Sequence, residues 1–338
     1  MRKPAILITG ANGEIGHGLI TALHKKNTVN IITLDLNLLD SSISELATEE
    51  LTGNILDANL IEQLNGEYEF VTIYHLAALL STRAEFSPQS AHDVNVGGTL
   101  NLLNLALEQG RSQGKPVKFF FPSSIAVYGL KNKSEKQKVG TISEDKFLNP
   151  FTMYGCNKLY CEHLGTYYSQ HYQRLGAEEH RSYIDFRSIR FPGIISSKTV
   201  PTGGTSDYIP EMIHAAARGE AYKCFVRKDA QIPFMTMPDA VQAILDIMVA
   251  PINNLNHTVY NIRAFAPTAE EFRKKIIEGF PQAQIEYNVN QKRQNMVDSW
   301  PADTDDSAAR ADWNWNPQHD LETGMKEYLI PDLKKIYA

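Results

Sequence analysis

Residues 5–16 read Ala-Ile-Leu-Ile-Thr-Gly10-Ala-Asn12-Gly13-Glu14-Ile15-Gly16. A short apolar run ends in three glycines at fixed spacing, and the helical pattern Ile15, Leu19, Ile20, Leu23 follows. Few folds accept that order. Glycine permits a tight turn and lets backbone approach a pyrophosphate, which then sits at the positive end of the helix. Alone, such a triplet is weak evidence, and a plain strand-to-helix turn is the competing reading. Placed between a buried strand and an amphipathic helix, it predicts the first βα unit of a dinucleotide-binding domain.

The chain beyond it keeps that rhythm. Val29–Leu34 reads as a strand and ends at Asp35, nineteen residues past Gly16. A carboxylate there can accept hydrogen bonds from an adenosine ribose and would repel a 2′-phosphate. No Arg or Lys occurs from Leu36 to Leu51, so NAD is favoured over NADP. The alternative for Asp35 is a cap for a helix around Ser41–Leu46. A short strand near Glu50–Gly53 leads to Asp57, which either reaches the adenine or caps the helix Ala58–Leu64. Phe70–Tyr74 runs into His75-Leu76-Ala77-Ala78, small residues that would let backbone lie against the cofactor, with His75 structural. Ser87–Gln109 reads as one helix, apolar on more than one side (Val94, Leu100, Leu103, Leu107). Val117–Phe121 is the fifth strand, ending at Pro122-Ser123-Ser124. A polar loop is expected from Gly129 to Pro150, then a helix from about Thr152 to Tyr172, a turn at Arg174–His180 and a sixth strand at Ser182–Arg190.

Strand and helix thus alternate through 190 residues, which predicts an α/β fold, a doubly wound parallel sheet of the Rossmann type. The expected division is an NAD-binding domain at 1–190, with part of 228–262 returning to it. A smaller α/β substrate-binding cap would occupy most of 191–338. Ligands bind at the carboxyl ends of such strands, so Ser123 and Ser124 should face the site.

Tyr154-Gly-Cys-Asn-Lys158 follows. Four residues apart on a helix, Tyr154 and Lys158 share one face. A phenol is a poor base near neutral pH, and a cation one turn away favours its ionised form. The pair is common by chance; its place after the glycine turn and the Ser123-Ser124 strand end makes it a candidate catalytic pair.

Net charge is -6, and the longest basic cluster, Lys131–Lys138, is interrupted by Glu135. That argues against a nucleic-acid groove. The cysteines Cys156, Cys161 and Cys224 have no metal-ligand spacing and are too few for a disulfide framework, so no metal is expected and a reducing compartment is. No targeting segment and no membrane-length apolar run is visible. These features predict a cytoplasmic enzyme acting on a small molecule.

Taken together, Gly10-Gly13-Gly16, Asp35, His75–Ala78, Asn95, Ser123-Ser124 and Tyr154 with Lys158 resemble the extended short-chain dehydrogenase/reductase family, also called the epimerase/dehydratase family. The resemblance covers nearly the whole chain. It implies NAD as cofactor, held by Gly10, Asn12, Gly13, Glu14, Ile15, Gly16, Asp35, Leu36, Asp57, Leu76, Ala77, Ala78, Asn95, Ser123, Tyr154, Lys158, Phe191 and Pro192. It implies that Ser124 and Tyr154 hold a substrate hydroxyl, that Tyr154 moves its proton, and that Lys158 also binds the nicotinamide ribose. It further implies a homodimer built on the helices Ser87–Gln109 and Thr152–Tyr172.

Nucleotide-sugar epimerases of that family carry an Arg seven residues before the Asp matching Asp239; here Ile232 stands there. Their Asn after the sixth strand is absent from Arg190-Phe-Pro-Gly-Ile-Ile195. The second half instead resembles the short-chain type of NAD-dependent L-threonine 3-dehydrogenases. The matching runs are Arg190–Ser196, Gly203–Tyr208, Ile232–Met235, Arg293–Pro301 and Asp305–Trp315. This implies that Gly204, Thr205 and Ser206 contact an amino acid's polar groups, with Ser81 and Trp300 also at the substrate. It implies oxidation of the 3-hydroxyl of L-threonine to 2-amino-3-oxobutanoate. Departures are Thr82-Arg83 after Ser81, Ser206 for a Thr, and longer segments at Lys131–Gly140 and Arg174–Arg181. Arg83 either recognises a second anionic group or is a solvated surface residue. The rival readings are a nucleotide-sugar epimerase or dehydratase, a dehydrogenase of another small 3-hydroxy acid, and an NAD-sensing regulator. The last would have little use for the Tyr154/Lys158 pair.

Overall fold

The computed structural model describes residues 2–26, 30–176, 182–199 and 204–338. Val29, residues 177–180 of the expected turn, Arg181 and Gly203 lie outside them. Seven strands form the central sheet: β1 (Lys3–Thr9), β2 (Asn30–Asp35), β3 (Glu49–Thr52), β4 (Tyr68–His75), β5 (Val117–Ser124), β6 (Ile184–Phe191) and β7 (Val259–Asn261). Their order is β7-β6-β5-β4-β1-β2-β3, and all pair in parallel. The chain winds outward from β1 to β3, then crosses back to β4. Strand order therefore reverses between β1 and β4, and a crevice opens at their carboxyl ends.

Both faces of a parallel sheet must be covered, and alternate residues of β1 show how. Ile6 and Ile8 join one apolar cluster, while Ala5 and Leu7 join another. The first face receives the helices Glu14–Lys26 and Met237–Val249, and the second receives Ala58–Glu67, Gly98–Gln113 and Met153–Thr166. Leu19, Ile20 and Leu23 of the first helix are buried, each worth about 1.5–3 kcal/mol against exposure. A third cluster builds the rest of the chain around the helices Tyr208–Arg218 and Ala269–Gly279. A small parallel pair, Tyr222–Cys224 with Ile285–Tyr287, lies beside it. The helix Met237–Val249 and strand β7 return to the sheet, and so do Ala309, Trp313 and Trp315, outside the expected 228–262.

Two expectations are corrected. The helix expected over Ser87–Gln109 is interrupted: Ser81–Phe86 and Pro88–His92 are separate, Asp93–Gly97 is a π-turn, and Gly98–Gln113 follows. Pro88 lacks the N–H that would continue the first helix, and a π-turn carries one extra residue, placing Asn95. The loop expected over Gly129–Pro150 contains a helix, Lys133–Val139, and a strand Thr141–Ile142 paired with Asp303–Thr304. Its charge pattern suggests solvent, yet Lys136 is only 4 % exposed and donates to the Val297 carbonyl at 2.8 Å. Tertiary packing overrides the local signal. No described helix is long and apolar enough to cross a membrane.

Candidate functional site

The crevice is built first of backbone. Gly10 has φ +65°, and a Cβ there would lie 2.5 Å from the Ala77 nitrogen. The glycine thus permits both the turn and the near-contact of the β1 and β4 ends. Gly13 is exposed and Gly16 buried, where the helix starting at Glu14 leaves the turn. The Asp35 carboxylate receives the Asn12 N–H at 3.0 Å and the Asn37 N–H at 3.3 Å, which fixes it beside the glycine turn. Neither bond is a helix cap; Asp40 precedes the helix Ser41–Ser44. The Asn12 side chain accepts from the Asp40 N–H at 2.9 Å, so only its backbone faces the turn's business. Leu36 is exposed beside Asp35, and Ile15, Leu76, Ala77 and Ala78 are half-buried around the crevice. A glycine cradle, a helix N-terminus and a carboxylate fixed next to them fit a dinucleotide with a free 2′-hydroxyl.

Three residues expected at the cofactor also carry hydrogen bonds within the protein. Asn95 accepts from the Leu79 N–H at 2.7 Å, donates to the Leu79 carbonyl at 3.0 Å and to Asn157 at 3.3 Å. Its amide is spent on holding the Leu76–Leu80 segment against the Tyr154 helix. Asp57 caps its helix, one carboxylate oxygen accepting from Asn59 and Leu60. The Ser123 hydroxyl donates to Glu162, which is also paired to Arg190 at 2.6 Å and 2.8 Å. Ser123 is 2 % exposed and points into that ion pair, because adjacent strand residues face opposite sides. His75 is structural as expected: Thr9 and Thr99 occupy its two ring nitrogens at 2.9 Å each. Burial drives its pKa down to about 3, so the ring is neutral.

The Tyr154 helix starts at a good cap, Thr152 accepting the Gly155 N–H at 3.0 Å. Gly155 lets it lie on the turn after β5, since a Cβ there would overlap the Ala126 carbonyl. That contact brings Tyr154 beside the strand end that carries Ser124. The Ser124 Oγ accepts from the Ala126 N–H at 3.2 Å, which leaves its own proton to donate. Lys158 is buried; its ammonium donates to the Pro122 carbonyl at 2.6 Å and stands 4.5 Å from the Phe121 ring centre and 5.4 Å from that of Tyr154. Burial lowers its pKa to about 8, so most of it stays charged near neutral pH. Tyr154 departs from expectation: burial pushes the phenol's pKa up. Desolvation alone causes that shift, and the Lys158 ammonium spends its hydrogen bond on the Pro122 carbonyl.

The Glu162–Arg190 pair was the feature sequence reasoning missed. Arg190 also donates to the Tyr128 hydroxyl at 2.8 Å and the Glu144 carbonyl at 2.6 Å, tying β6 to the Tyr154 helix and the segment after β5. Glu162 lies four residues after Lys158, and that spacing on one helix face was the available signal.

Of the residues expected at a substrate, Thr205 is 5 % exposed and Trp300 4 %, with Gly204, Ser206 and Ser81 half-buried. Tyr154 packs against the apolar cluster that contains Trp300. Ser81 opens the short helix Ser81–Phe86, and Arg83 on it is exposed. Ile232 is fully buried in the apolar cluster around the helices Tyr208–Arg218 and Ala269–Gly279. Phe191 and Pro192 are buried where β6 ends, the Phe191 ring 6.4 Å from that of Phe120. Glu14, on the exposed rim of the crevice, has its carboxyl pKa raised by desolvation, lowered by a hydrogen bond with Thr199 and raised by the Asp207 carboxylate.

Residues 6–262 match the model of the NAD dependent epimerase/dehydratase family. The mitochondrial L-threonine 3-dehydrogenase of Bos taurus is 33 % identical over 317 residues, 94 % of this chain and 79 % of that protein. Among solved structures, a monomeric L-threonine 3-dehydrogenase from a metagenome, in its apo form, is 35 % identical with a TM-score of 0.84, covering 98 % of this chain and 100 % of its own. A GalE-like L-threonine dehydrogenase from Cupriavidus necator, in a holo form, is 34 % identical with a TM-score of 0.85, over 99 % and 100 % of the two chains.

Proposed function

Because the chain belongs to the NAD-dependent epimerase/dehydratase family, we propose that this NAD-dependent enzyme oxidises the 3-hydroxyl of L-threonine to 2-amino-3-oxobutanoate. NAD, when bound, supplies the hydride acceptor. Gly10, Asn12, Gly13, Glu14, Ile15 and Gly16 hold it by backbone, with Asp35 at the ribose and Leu36, Leu76, Ala77, Ala78, Phe191 and Pro192 along the crevice. Tyr154 takes the hydroxyl proton. In the free enzyme burial keeps that phenol protonated, so it becomes a base only once positive charge is gathered around it. Lys158 contributes part of that charge from one turn away. Ser124 donates its proton to the substrate oxygen and steadies the charge that develops there. Gly204, Thr205, Ser206, Ser81 and Trp300 hold the ammonium and carboxylate groups, so that C3 is presented in a fixed pose.

The observation that carries this reading is Ile232. A nucleotide sugar needs a cation for its diphosphate, and this fully buried side chain belongs to an apolar core that no diphosphate enters. The likeness to L-threonine 3-dehydrogenases over nearly the whole chain supports it. Purified protein with NAD should form NADH with L-threonine and far more slowly with other 3-hydroxy acids. Interconversion of a UDP-sugar without NADH formation from threonine would sink the assignment.

The proposed assembly is a homodimer through the Gly98–Gln113 and Met153–Thr166 helices, in the cytoplasm. Tyr160 on the second helix is 54 % exposed, and Tyr167 just past its end 44 %. The three free thiols suit a reducing compartment. A sedimentation mass of one 38.0 kDa chain at micromolar concentration would refute the dimer.

A further inference from the structure

We infer that Arg293 is the residue that positions the Gly204–Ser206 loop. The inference rests on the threonine reading for its substrate, and on this structure alone for its geometry.

The Gly204 peptide is gripped from both sides. Its N–H donates to the Asp207 carboxylate, and its carbonyl accepts from Arg293 Nη2 at 2.6 Å. A Cβ at Gly204 would lie 2.8 Å from Asp207 Oδ1 and push that carboxylate off the Gly204 N–H. Asp207 is itself anchored, its carbonyl accepting from the Glu211 N–H at 2.8 Å as the helix Tyr208–Arg218 begins. A loop pinned at one peptide has little freedom in the next, and that next residue is Thr205.

Arg293 is well placed to hold that grip. Its guanidinium carbon stands 3.2 Å from the centre of the Phe225 ring, a face-on stack that removes most of its swing. Glu211 lies 3.9 Å from Nη2 and keeps the charge company. The N–H of Arg293 is capped by the Asn290 side chain at 3.2 Å. The other end of the helix Gln291–Asp298 delivers Ser299 and Trp300. That end is fixed as well. Arg227 binds both oxygens of Asp298 at 2.9 Å and 3.0 Å, Lys136 donates to the Val297 carbonyl, and the Leu130 N–H donates to the Ser299 carbonyl at 2.9 Å. One two-turn helix therefore holds the Thr205 loop at its start and Trp300 at its finish.

The test compares Arg293→Met with Arg293→Lys. Methionine keeps an unbranched stem on Phe225 without a donor; lysine keeps a cation and a donor that can reach the Gly204 carbonyl. With Arg293→Met, KM for threonine should rise at least tenfold while kcat and the Kd for NAD change less than threefold. Arg293→Lys should recover most of the KM. Amide hydrogen exchange over residues 204–212 should quicken at least tenfold in the methionine variant and little in the lysine one, whatever the substrate. Unchanged exchange there in Arg293→Met would overturn the inference. So would a KM shift that lysine fails to recover, or an equal loss of NAD affinity. A wild type inactive on threonine, with exchange behaving as expected, would fail the substrate reading and leave the positioning role standing.

Discussion

The two halves of the crevice are fixed by different means. On the cofactor side, backbone lies against backbone: Gly10 against Ala77, and the Asn12 N–H on Asp35. On the substrate side, side chains reach in from far along the chain: Arg293 to Gly204, Lys136 to Val297, Arg227 to Asp298. Backbone contact requires particular small residues at particular spacings and leaves little choice of sequence. Side-chain pins tolerate many solutions, so the substrate half can be refitted without disturbing the cofactor half. The family's range of substrates on one cofactor is the kind of outcome such a division allows.

Mutations can break that comparison. The largest effect should come from the seam, at Tyr154. Tyr154→Phe keeps the ring and removes the proton acceptor, so kcat should fall by ~10²–10⁴ while NAD affinity, measured by fluorescence titration, stays the same. A comparable loss of NAD affinity would mean the phenol belongs to the cofactor half. Next, the double change Asp35→Ala with Leu36→Arg should swing the NADP-to-NAD ratio of kcat/KM by roughly 10²-fold or more. It removes one charge-assisted contact and adds another, each worth about 1.5–3 kcal/mol. Equal wild-type kcat/KM for both cofactors would remove Asp35 from its selecting role.

Thr205→Ala acts wholly on the other side. A lost hydrogen bond to a charged partner suggests about 1.5–3 kcal/mol, so KM for threonine should rise roughly ten- to a hundredfold with a smaller change in kcat. An unchanged KM would put the substrate in another loop. The smallest effect concerns Lys136, whose pKa burial pulls down to about 7. Between that value and the ordinary 10.5, the unfolded chain holds a proton that the folded one has released. Stability should therefore rise with pH across the window, and the penalty is present in full below it. Urea midpoints of wild type and Lys136→Met, compared at about pH 7 and about pH 9, should show wild type gaining on the variant by at most about 1.4 kcal/mol per pH unit. Parallel midpoints would mean the ammonium is better solvated than its 4 % exposure implies.

The same division explains what could be read from the chain. The glycine turn, the strand-end Asp35, the sheet and the Tyr154/Lys158 helix were legible because each depends on neighbours within a few residues. Asn95 and Ser123 stood in the right motif but with other partners: one braces a loop, the other an ion pair, and neither partner adjoins it in sequence. The helix Lys133–Val139 read as a solvated loop because its buried Lys136 is paid for by a carbonyl 161 residues away. Arg293 sat inside a recognised run, yet nothing local ties it to Gly204, 89 residues earlier. The helix break at Pro88 was visible as a proline, but the π-turn after it was not, since an extra helical residue leaves the apolar pattern nearly intact.

The return of the helix Met237–Val249 and strand β7 to the sheet governs how the protein emerges from a ribosome. Until those residues leave the exit tunnel, β6 is a bare edge strand, and the apolar side chains that the late helix covers, such as Leu19 and Leu23, have no lid. Between the end of β6 at Phe191 and the end of β7 at Asn261, about a fifth of synthesis, the nascent chain is a half-clad sheet, the state in which strand edges meet strands of other copies. Slow elongation through this stretch, or a truncation before Met237, exposes that side to aggregation, and a holding chaperone has its natural footing there.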